Sequence, residues 1–333
     1  MPGLMRRSII LSAPLAAAVA LPAPSAAQGP TIPRAGWPSR TVRIISPFPP
    51  GGAADLLARV LAEELSAPLR QSVVVENRTG AGGSVGTEAA VRSAPDGYTL
   101  LMASTGTHAI NPALYRLTYD PVRDTAPVAL VATVPSVLVV HPAVPAANLA
   151  ELLALARSRP GQLSYGSGGA GSAQHLFMEM LKQMAGVDIQ HIPYRGTGPA
   201  MVDTVGGRLQ MMFDTIPTAL PHIRDGRVRA IAVTTAERHS SMPDVPPIAV
   251  SGVPGYEAVG WYGIAVPAGT PPEIVTRLHS ELAALLSRPE VRAKLTAQGV
   301  DPEPAPPAEF AALIERDRAR WSRVVREGGI RVE

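Results

Sequence analysis

Two hydrophobic periods alternate along the chain, and residues 41–65 show both of them. Residues 41–46 form a short, mainly apolar run, which is typical of a buried strand. Five of the next six residues are prolines or glycines, which end that run because proline lacks an amide donor and glycine is flexible. Leucines and a valine then recur at helical spacing. The pattern therefore predicts a strand, a tight loop and a helix over residues 54–65.

The same alternation continues to residue 103. Apolar runs at 73–76 and 98–103 predict two more strands, and the pattern between them predicts a helix over 84–92. A turn at 95–97 separates that helix from the last strand. This βαβαβ order argues for a parallel sheet with helices packed on its faces.

A second series of elements follows a polar, irregular stretch at residues 104–127. The order of these elements predicts an α/β protein of two lobes, joined by more than one crossover and hinged around a cleft. Lobe 1 begins over residues 28–104, lobe 2 spans 105–228, and residues 229–333 complete lobe 1 and add the C-terminal helices. The strands predicted here are 128–132, 137–140, 163–165, 189–192, 209–213, 228–233 and 261–266, and the helices are 148–159, 173–185, 199–205, 216–224, 272–286, 290–297 and 308–326.

The N-terminus has the three-part order of a secretory signal peptide. Arg6 and Arg7 precede an apolar stretch at residues 9–21, which is followed by the small residues Ser25, Ala26 and Ala27. That apolar stretch is shorter than the ~20 residues a membrane-spanning helix needs. We expect cleavage after Ala27, with residues 1–27 as the signal peptide and a soluble periplasmic product.

Composition excludes several classes of function. Of the 333 residues 46% are hydrophobic, which is enough for a large core. The formal charge of +3 comes from scattered arginines, without a basic run or an aromatic-interleaved patch, so we expect no nucleic-acid partner. The chain has no cysteine, which excludes disulfides, thiol nucleophiles and thiolate metal sites. The histidines show no metal-binding spacing, and we predict no metal and no cofactor.

Two glycine-rich loops open predicted helices. Gly51 and Gly52 precede the helix at 54–65, and residues 166–172 precede the helix at 173–185. The first amides of a helix have no internal partner and its dipole favours negative charge, so each loop could hold a carboxylate or phosphate. Each loop could equally be a tight turn without a ligand, and Asp55 could itself cap the first one. The second loop also matches G-x-G-x-x-G. A dinucleotide site requires an acidic residue at the end of the following strand, and this sequence has none there.

Single polar residues give weaker indications, and each has a structural alternative. Arg195 could bind a carboxylate with its guanidinium, or form a surface ion pair. Asp214 ends a predicted apolar strand, and ligands bind at the ends of such strands in α/β sheets. Alternatively, Asp214 could cap the helix at 216–224. His175 could line the cleft or be a structural histidine. Ser172 and His175 are three residues apart on one helix, a spacing that does not by itself activate a nucleophile, and G-x-S-x-G does not occur.

The chain resembles the substrate-binding proteins of tripartite tricarboxylate transporters, the Bug-type receptors, from about Trp37 to about Gly299. This resemblance implies a two-lobed periplasmic-binding-protein type II (Venus flytrap) fold, in which each lobe is a sheet flanked by helices. It also implies a monomeric receptor that is not an enzyme, a small organic carboxylate held partly by backbone amides, and two integral membrane subunits that perform transport. The motifs that carry it are Pro47–Gly52 with Asp55, Glu76–Arg78, Gly80–Gly83, Pro95–Leu100, Asn111–Pro112, Tyr119–Pro121, Gly166–Ser167, Gly171–Ser172, His175, Pro193–Gly196, Met212–Asp214 and Pro267–Pro271.

Together, the loops and the resemblance predict a ligand site in the cleft between the lobes. The alternative is an exported hydrolytic or dinucleotide-dependent enzyme that uses the same glycine-rich loops. The predicted ligand-binding residues are Phe48, Gly51, Gly52, Ala53, Asp55, Ser104, Thr105, Ser167, Gly169, Gly171, Ser172, His175, Tyr194, Arg195, Gly196 and Asp214.

Overall fold

The structure is a computed structural model that describes residues 36–297 and 299–331. The predicted signal peptide and its cleavage site at Ala27 lie outside the described residues. The strands are β1 (Val42–Ser46), β2 (Val73–Asn77), β3 (Thr99–Ser104), β4 (Thr125–Val140), β5 (Ser164–Ser167), β6 (Gln190–Pro193), β7 (Met211–Thr215), β8 (Arg229–Val233), β9 (Val259–Pro267) and β10 (Asp301–Ala305). The helices are α1 (Ala53–Leu69), α2 (Ser84–Val91), α3 (Asn111–Leu114), α4 (Leu149–Ser158), α5 (Ala173–Ala185), α6 (Thr197–Val205), α7 (Ile216–Arg224), α8 (Pro272–Ser287), α9 (Pro289–Thr296) and α10 (Pro307–Glu327).

The first sheet begins as the βαβαβ order predicts. β1 lies between β2 and β3 and is parallel to both, and β9 then pairs antiparallel with β3. Helix α1 packs on this sheet with Leu57, Leu61 and Leu65, which are all fully buried among the leucines of α8. Burying each leucine contributes about 1.5–3 kcal/mol, so this apolar stripe fixes where the N-terminus of α1 points.

A single long strand, β4, carries the chain from the first sheet to the second. Its first part pairs with β9 and β10, and its last part pairs with β7 and β8. The sequence predicted two strands, at 128–132 and 137–140, because Thr133 and Pro135 interrupt the apolar run. The strand continues through both residues, and its pairing with β9 shifts register elsewhere, after Pro127 and after Leu130.

The second sheet consists of the end of β4 with β5, β6, β7 and β8. β5 is parallel to β6 and β7, whereas β7 and β8 are antiparallel to β4. The prediction that the strand at 228–233 returns to the first lobe is wrong at this point. β8 pairs with Val137–Val140 of β4, in the same sheet as β7. The return is made instead by β9, which pairs with β3 along one edge and with β4 along the other.

Two further segments differ from the predictions. The polar stretch after β3 contains a π-helical turn, Thr105–Ile110, and the short helix α3. Ser104 caps that turn, because its hydroxyl accepts the Thr107 amide at 3.3 Å. The sequence also did not predict β10, whose two prolines mask a strand that pairs antiparallel with β4.

Candidate functional site

A cavity of about 260 Å³ lies where the two sheets meet, and we call it the inner cavity. Its floor is one face of the sheet, and its walls are loops and helix N-termini from both halves of the protein. Strand pairing places the floor residues side by side: Ser104 is opposite Tyr262, Val134 opposite Gly260, and Ser136 opposite Thr215. The wall residues are Phe48–Pro50, Gly52–Ala54, Thr105, Gly106, Gly168, Ser172–Gln174, Phe177 and Arg195–Pro199, and Trp261 also lines the cavity.

Four helices begin at this cavity. The residues before their first turns are Gly52 for α1, Ser172 for α5, Gly196 for α6 and Thr215 for α7, and all four line it. Only Ser172 caps its helix with its side chain, by accepting the His175 amide at 3.4 Å. The other three residues make no side-chain cap hydrogen bond.

The first amides of these helices remain available for a ligand. Within the part of the chain that the structure describes, the amides of Ala53 and Ala54 on α1 and of Thr197 and Gly198 on α6 donate to no protein acceptor. The same holds for Ala173 on α5. Each helix N-terminus carries a partial positive charge of about half a unit. The free amides at the starts of α1, α5 and α6 therefore border one space that suits an anion.

The one charged side chain that lines the inner cavity adds to this preference for an anion. Among the described residues that line the inner cavity, only Arg195 carries a charged side chain. Arg195 is exposed and makes no ion pair with another described residue. No acidic side chain is among that lining. The cavity therefore combines several positive helix ends with one exposed guanidinium.

Asp214 lies behind the lining, at the end of β7. It is 1% exposed, and its carboxylate accepts the Thr215 amide at 2.8 Å. Burial raises the pKa of Asp214 to about 6, against hydrogen bonds from Thr218, Thr215 and Thr197 that lower it. Burial, followed by the charge of Asp214, raises the pKa of the Tyr262 phenol on the cavity floor.

Asp55 holds the first glycine loop together from within. Its carboxylate accepts hydrogen bonds from the Gly51 amide at 3.0 Å, from Arg59 at 2.9 Å and from Asn77 at 2.9 Å. Burial raises the pKa of Asp55, but these three hydrogen bonds outweigh burial and leave it below its usual value. Asp55 therefore fixes the loop and turns away from the ligand space.

A stack of two imidazoles supports the second glycine loop. The rings of His175 and His191 stack at 4.0 Å, and His191 Nε2 lies 2.7 Å from the Ser167 hydroxyl. The Gly169 amide donates to that hydroxyl at 3.1 Å, and the Gly171 amide donates to His175 Nδ1 at 3.2 Å. Burial lowers the pKa of His175 to about 4 and that of His191 to about 3, so both rings are neutral near pH 7.

A second, outer cavity of about 530 Å³ adjoins the inner one. Phe48, Pro49, Gly168, Arg195 and Gly196 line both. The outer cavity adds the loop Thr79–Gly83 on one side, and Gly169 and Tyr194 on the other. Arg195 thus lies at the junction between the outer and the inner space.

The structure separates the predicted site residues into three groups. Phe48, Gly52, Ala53, Ser104, Thr105, Ser172, Arg195 and Gly196 line the inner cavity. Gly169 and Tyr194 line the outer one. The remaining six line neither cavity, because their polar groups are held inside the protein or their backbone turns away: Gly51, Asp55, Ser167, Gly171, His175 and Asp214.

Sequence reasoning missed five inner-cavity residues with a side-chain hydroxyl or amide: Ser136, Gln174, Thr197, Thr215 and Tyr262. Ser136 lies in the gap between the predicted strands at 128–132 and 137–140, and Tyr262 lies within the predicted strand at 261–266. The alternation of Gly260 and Tyr262 along β9 was the available signal, since residues two apart share one face of a strand.

A family model described as "Tripartite tricarboxylate transporter family receptor" matches residues 57–330. Protein BugT of Bordetella pertussis is 39% identical over 299 residues, which are 89% of this chain and 92% of BugT.

Solved structures give the same result for the fold. The structure of R. palustris Rpa4515 with adipate has a TM-score of 0.87 and 39% identity, and covers 89% of this chain and 99% of that one. The structure of the periplasmic binding protein BugD has a TM-score of 0.84 and 34% identity, and covers 89% of this chain and 100% of BugD. The predicted two-lobed type II binding-protein fold is confirmed, with each sheet belonging to one lobe.

No helix among residues 36–297 and 299–331 is long and apolar enough to cross a membrane. The same residues contain no group of three or more histidine and acidic side chains that could hold a metal ion.

Proposed function

This chain belongs to the tripartite tricarboxylate transporter family of receptors, and we propose that it holds a small organic carboxylate between its lobes and delivers it to a membrane transporter. The family consists of periplasmic solute receptors, so the enzyme alternative is set aside. A relative that is 39% identical is described with adipate bound, which supports a carboxylate as the ligand class.

One observation carries the proposal: α1 of the first lobe and α5 and α6 of the second begin at the same cavity, with free amides. An anion that accepts hydrogen bonds from both sets of amides binds the closed arrangement better than an open one. Binding and lobe closure are then coupled, because the anion contacts amides of both lobes only in the closed state. The hinge lies where β4 and β9 pass between the lobes.

The proposal extends to export and to partners. The signal peptide over residues 1–27 delivers the protein to the periplasm, where a monomer meets the two integral membrane subunits of its transporter. Mass spectrometry of the mature protein should find a chain that begins at Gln28. A mature chain that keeps Met1 or Met5 would contradict the export proposal.

A thermal-shift screen of organic acids tests the binding proposal. An acid that binds only the folded protein stabilises it by about 2.7 kcal/mol at a concentration of one hundred times Kd. We expect stabilisation by at least one carboxylic acid, and none by the matched amides or alcohols, which carry no charge. If a broad panel of acids leaves the melting temperature unchanged, the proposed function is wrong.

A further inference from the structure

A buried carboxyl lies directly behind the lining of the inner cavity. Asp214 lies at the end of β7, is 1% exposed, and is not part of the lining itself. Its carboxylate accepts the Thr215 amide at 2.8 Å and a hydrogen bond from the Thr197 side chain. Thr197 begins α6, Thr215 precedes α7, and both line the cavity. A single layer of residues therefore separates this carboxyl from the space that suits an anion.

Among residues 36–297 and 299–331, no positive side chain pairs with Asp214. The elements that pack against β7 are β4, β5, α5, α6 and α7, and β4 carries no titratable side chain. The titratable or charged side chains of the other four are Tyr165, His175, Glu179, Lys182, Asp203, His222 and Arg224. None of them contributes to the pKa of Asp214, which burial raises to about 6 against hydrogen bonds from three threonines. Burial without a counter-charge favours the neutral form of a carboxyl.

A bound carboxylate brings a second negative charge to the same place. The free amides of α6 begin at Thr197, the residue that also bonds to Asp214. Asp214 itself occupies the Thr215 amide before α7, so the two anions share one group of helix ends. A nearby like charge raises the pKa of a carboxyl, and the effect is strong where water is excluded. Ligand binding and protonation of Asp214 therefore favour each other, because coupling between two sites is reciprocal.

We infer that Asp214 takes up a proton when the receptor binds its carboxylate, so that ligand affinity increases as the pH falls from 8 to 6. The inference rests on the proposed function, because it places the ligand carboxylate at the helix amides. The proton comes from solvent and attaches to one carboxylate oxygen of Asp214, while the other oxygen still accepts the Thr215 amide. The site then holds one negative charge in place of two. Acidification therefore loads the receptor, and a rise in pH favours release.

Other titratable groups near the cavity keep one state over this pH range. Burial lowers the pKa of His175 to about 4 and that of His191 to about 3, so both imidazoles stay neutral. Burial and the charge of Asp214 raise the pKa of the Tyr262 phenol, which therefore stays protonated. A carboxylic acid with the pKa of a glutamate side chain, about 4.3, is ionised above pH 6. A pH dependence of binding between 6 and 8 therefore reports on Asp214.

Calorimetric titration in buffers of different ionisation enthalpy tests the inference directly. Adipate is the first probe, and an acid that stabilises the protein in the thermal-shift screen replaces it if adipate does not bind. The dependence of the measured heat on the buffer, in phosphate, Hepes and Tris at pH 7, gives the number of protons taken up per ligand. We expect uptake of about 0.4 proton and about fivefold tighter binding at pH 6 than at pH 8, as follows from a tenfold rise in the proton affinity of Asp214 on binding.

Asp214→Asn removes the titrating group and keeps the acceptor for the Thr215 amide. We expect this variant to take up less than about 0.1 proton and to bind with nearly the same affinity at pH 6 and at pH 8. At pH 8 it should bind up to about tenfold more tightly than wild type, because no ionised carboxylate then opposes the ligand. A purely structural role would change the affinity equally at both pH values. Asp225→Asn makes the same chemical change at the exposed C-terminal end of α7 and should behave like wild type.

Two results would overturn the inference. One is binding by the wild-type protein without proton uptake, a measurement that needs no variant and does not depend on whether one folds. The other is an Asp214→Asn protein that takes up as many protons as wild type. Failure of every acid in the screen to bind would instead overturn the proposed function, on which the inference rests, so the two failures are distinguishable.

Discussion

Gly196 of the second lobe lies directly against Pro49 of the first. A Cβ atom added at Gly196 would lie 2.5 Å from Pro49 Cγ, closer than any real Cβ contact. Gly196 also has a φ of +116°, which L side chains rarely adopt. Both residues line the inner and the outer cavity. The glycine therefore allows the two lobes to meet where the inner and outer cavities adjoin.

Gly196→Ala should weaken ligand binding, because the added methyl group holds the lobes apart and strains the backbone before α6. We expect at least a tenfold loss of affinity and a smaller ligand-induced decrease in the radius of gyration, measured by calorimetry and small-angle scattering. Gly206→Ala is the matched control: it lies at the other end of α6 with a negative φ. A Gly196→Ala protein that binds and compacts like wild type would show that this contact does not limit closure.

Asp214→Asn should stabilise the protein at pH 7.5 and have little effect at pH 4. Burial raises the folded-state pKa of Asp214 to about 6, above the value of about 3.9 in an unfolded chain. The folded protein therefore holds more protons than the unfolded one between these values, and stability falls as pH rises from about 4 to about 6. Above that range the ionised carboxylate costs roughly 2–3 kcal/mol, which asparagine avoids while its side-chain oxygen still accepts the Thr215 amide.

Melting temperatures of both proteins across pH 4–8 measure this effect. The gain of the asparagine variant should grow with pH and level off above about 6.5. A gain of the same size at pH 4 and at pH 7.5, or a loss at pH 7.5, would contradict a raised pKa of the buried Asp214 carboxyl.

His191→Gln should make the protein less sensitive to acid. Burial lowers the folded-state pKa of His191 to about 3, below the value of about 6.5 in an unfolded chain. The unfolded chain therefore binds the extra proton first, and this histidine removes stability as pH falls from about 6.5 towards 3. Glutamine cannot titrate and can still bond the Ser167 hydroxyl.

The measurement is again the melting temperature, now between pH 7.5 and pH 4.5. We expect a smaller decrease for the variant than for wild type, with the value at pH 7.5 as the internal reference. If the two curves run parallel, protonation of His191 in the unfolded chain is not a source of acid sensitivity.

Much of the fold could be predicted from local patterns. The leucine stripe of α1 and the turn before β3 indicate their elements directly, and the order of β1, β2 and β3 predicts parallel pairing. β4 could not be predicted as one strand, because Thr133 and Pro135 break its apolar run and only pairing with β9 carries it through. The position of β8 depends on long-range pairing with Val137–Val140, which no local pattern encodes.

Only part of the candidate site could likewise be predicted from local patterns. Glycine loops before helices indicate free amides, and Gly52, Ser172 and Gly196 do line the cavity. Asp55 and His175 were equally visible in the sequence, but their hydrogen bonds to Gly51, Arg59 and Gly171 turn them inward. Ser136 and Tyr262 line one cavity because β4 and β9 are neighbours in the sheet, a long-range pairing that no local pattern encodes.

A substitution at Gly52 can block the free amides of α1 with little strain. Its φ of −89° and ψ of 171° suit any residue, and a Cβ there would come no closer than 3.9 Å to the Pro49 carbonyl. Gly52→Val should therefore fold normally and fill the cavity in front of Ala53 and Ala54. Gly169 is less suitable, because its φ of +122° would strain any side chain.

Calorimetric titration of wild type, Gly52→Val and Arg195→Ala with the best acid from the thermal-shift screen tests the central claim, that backbone amides hold the carboxylate. Circular dichroism confirms folding of each variant. We predict that Gly52→Val lowers affinity by at least a hundredfold, whereas Arg195→Ala, at the exposed junction of the cavities, lowers it by about tenfold or less. Normal binding by Gly52→Val together with abolished binding by Arg195→Ala would contradict the claim and make the guanidinium the anchor.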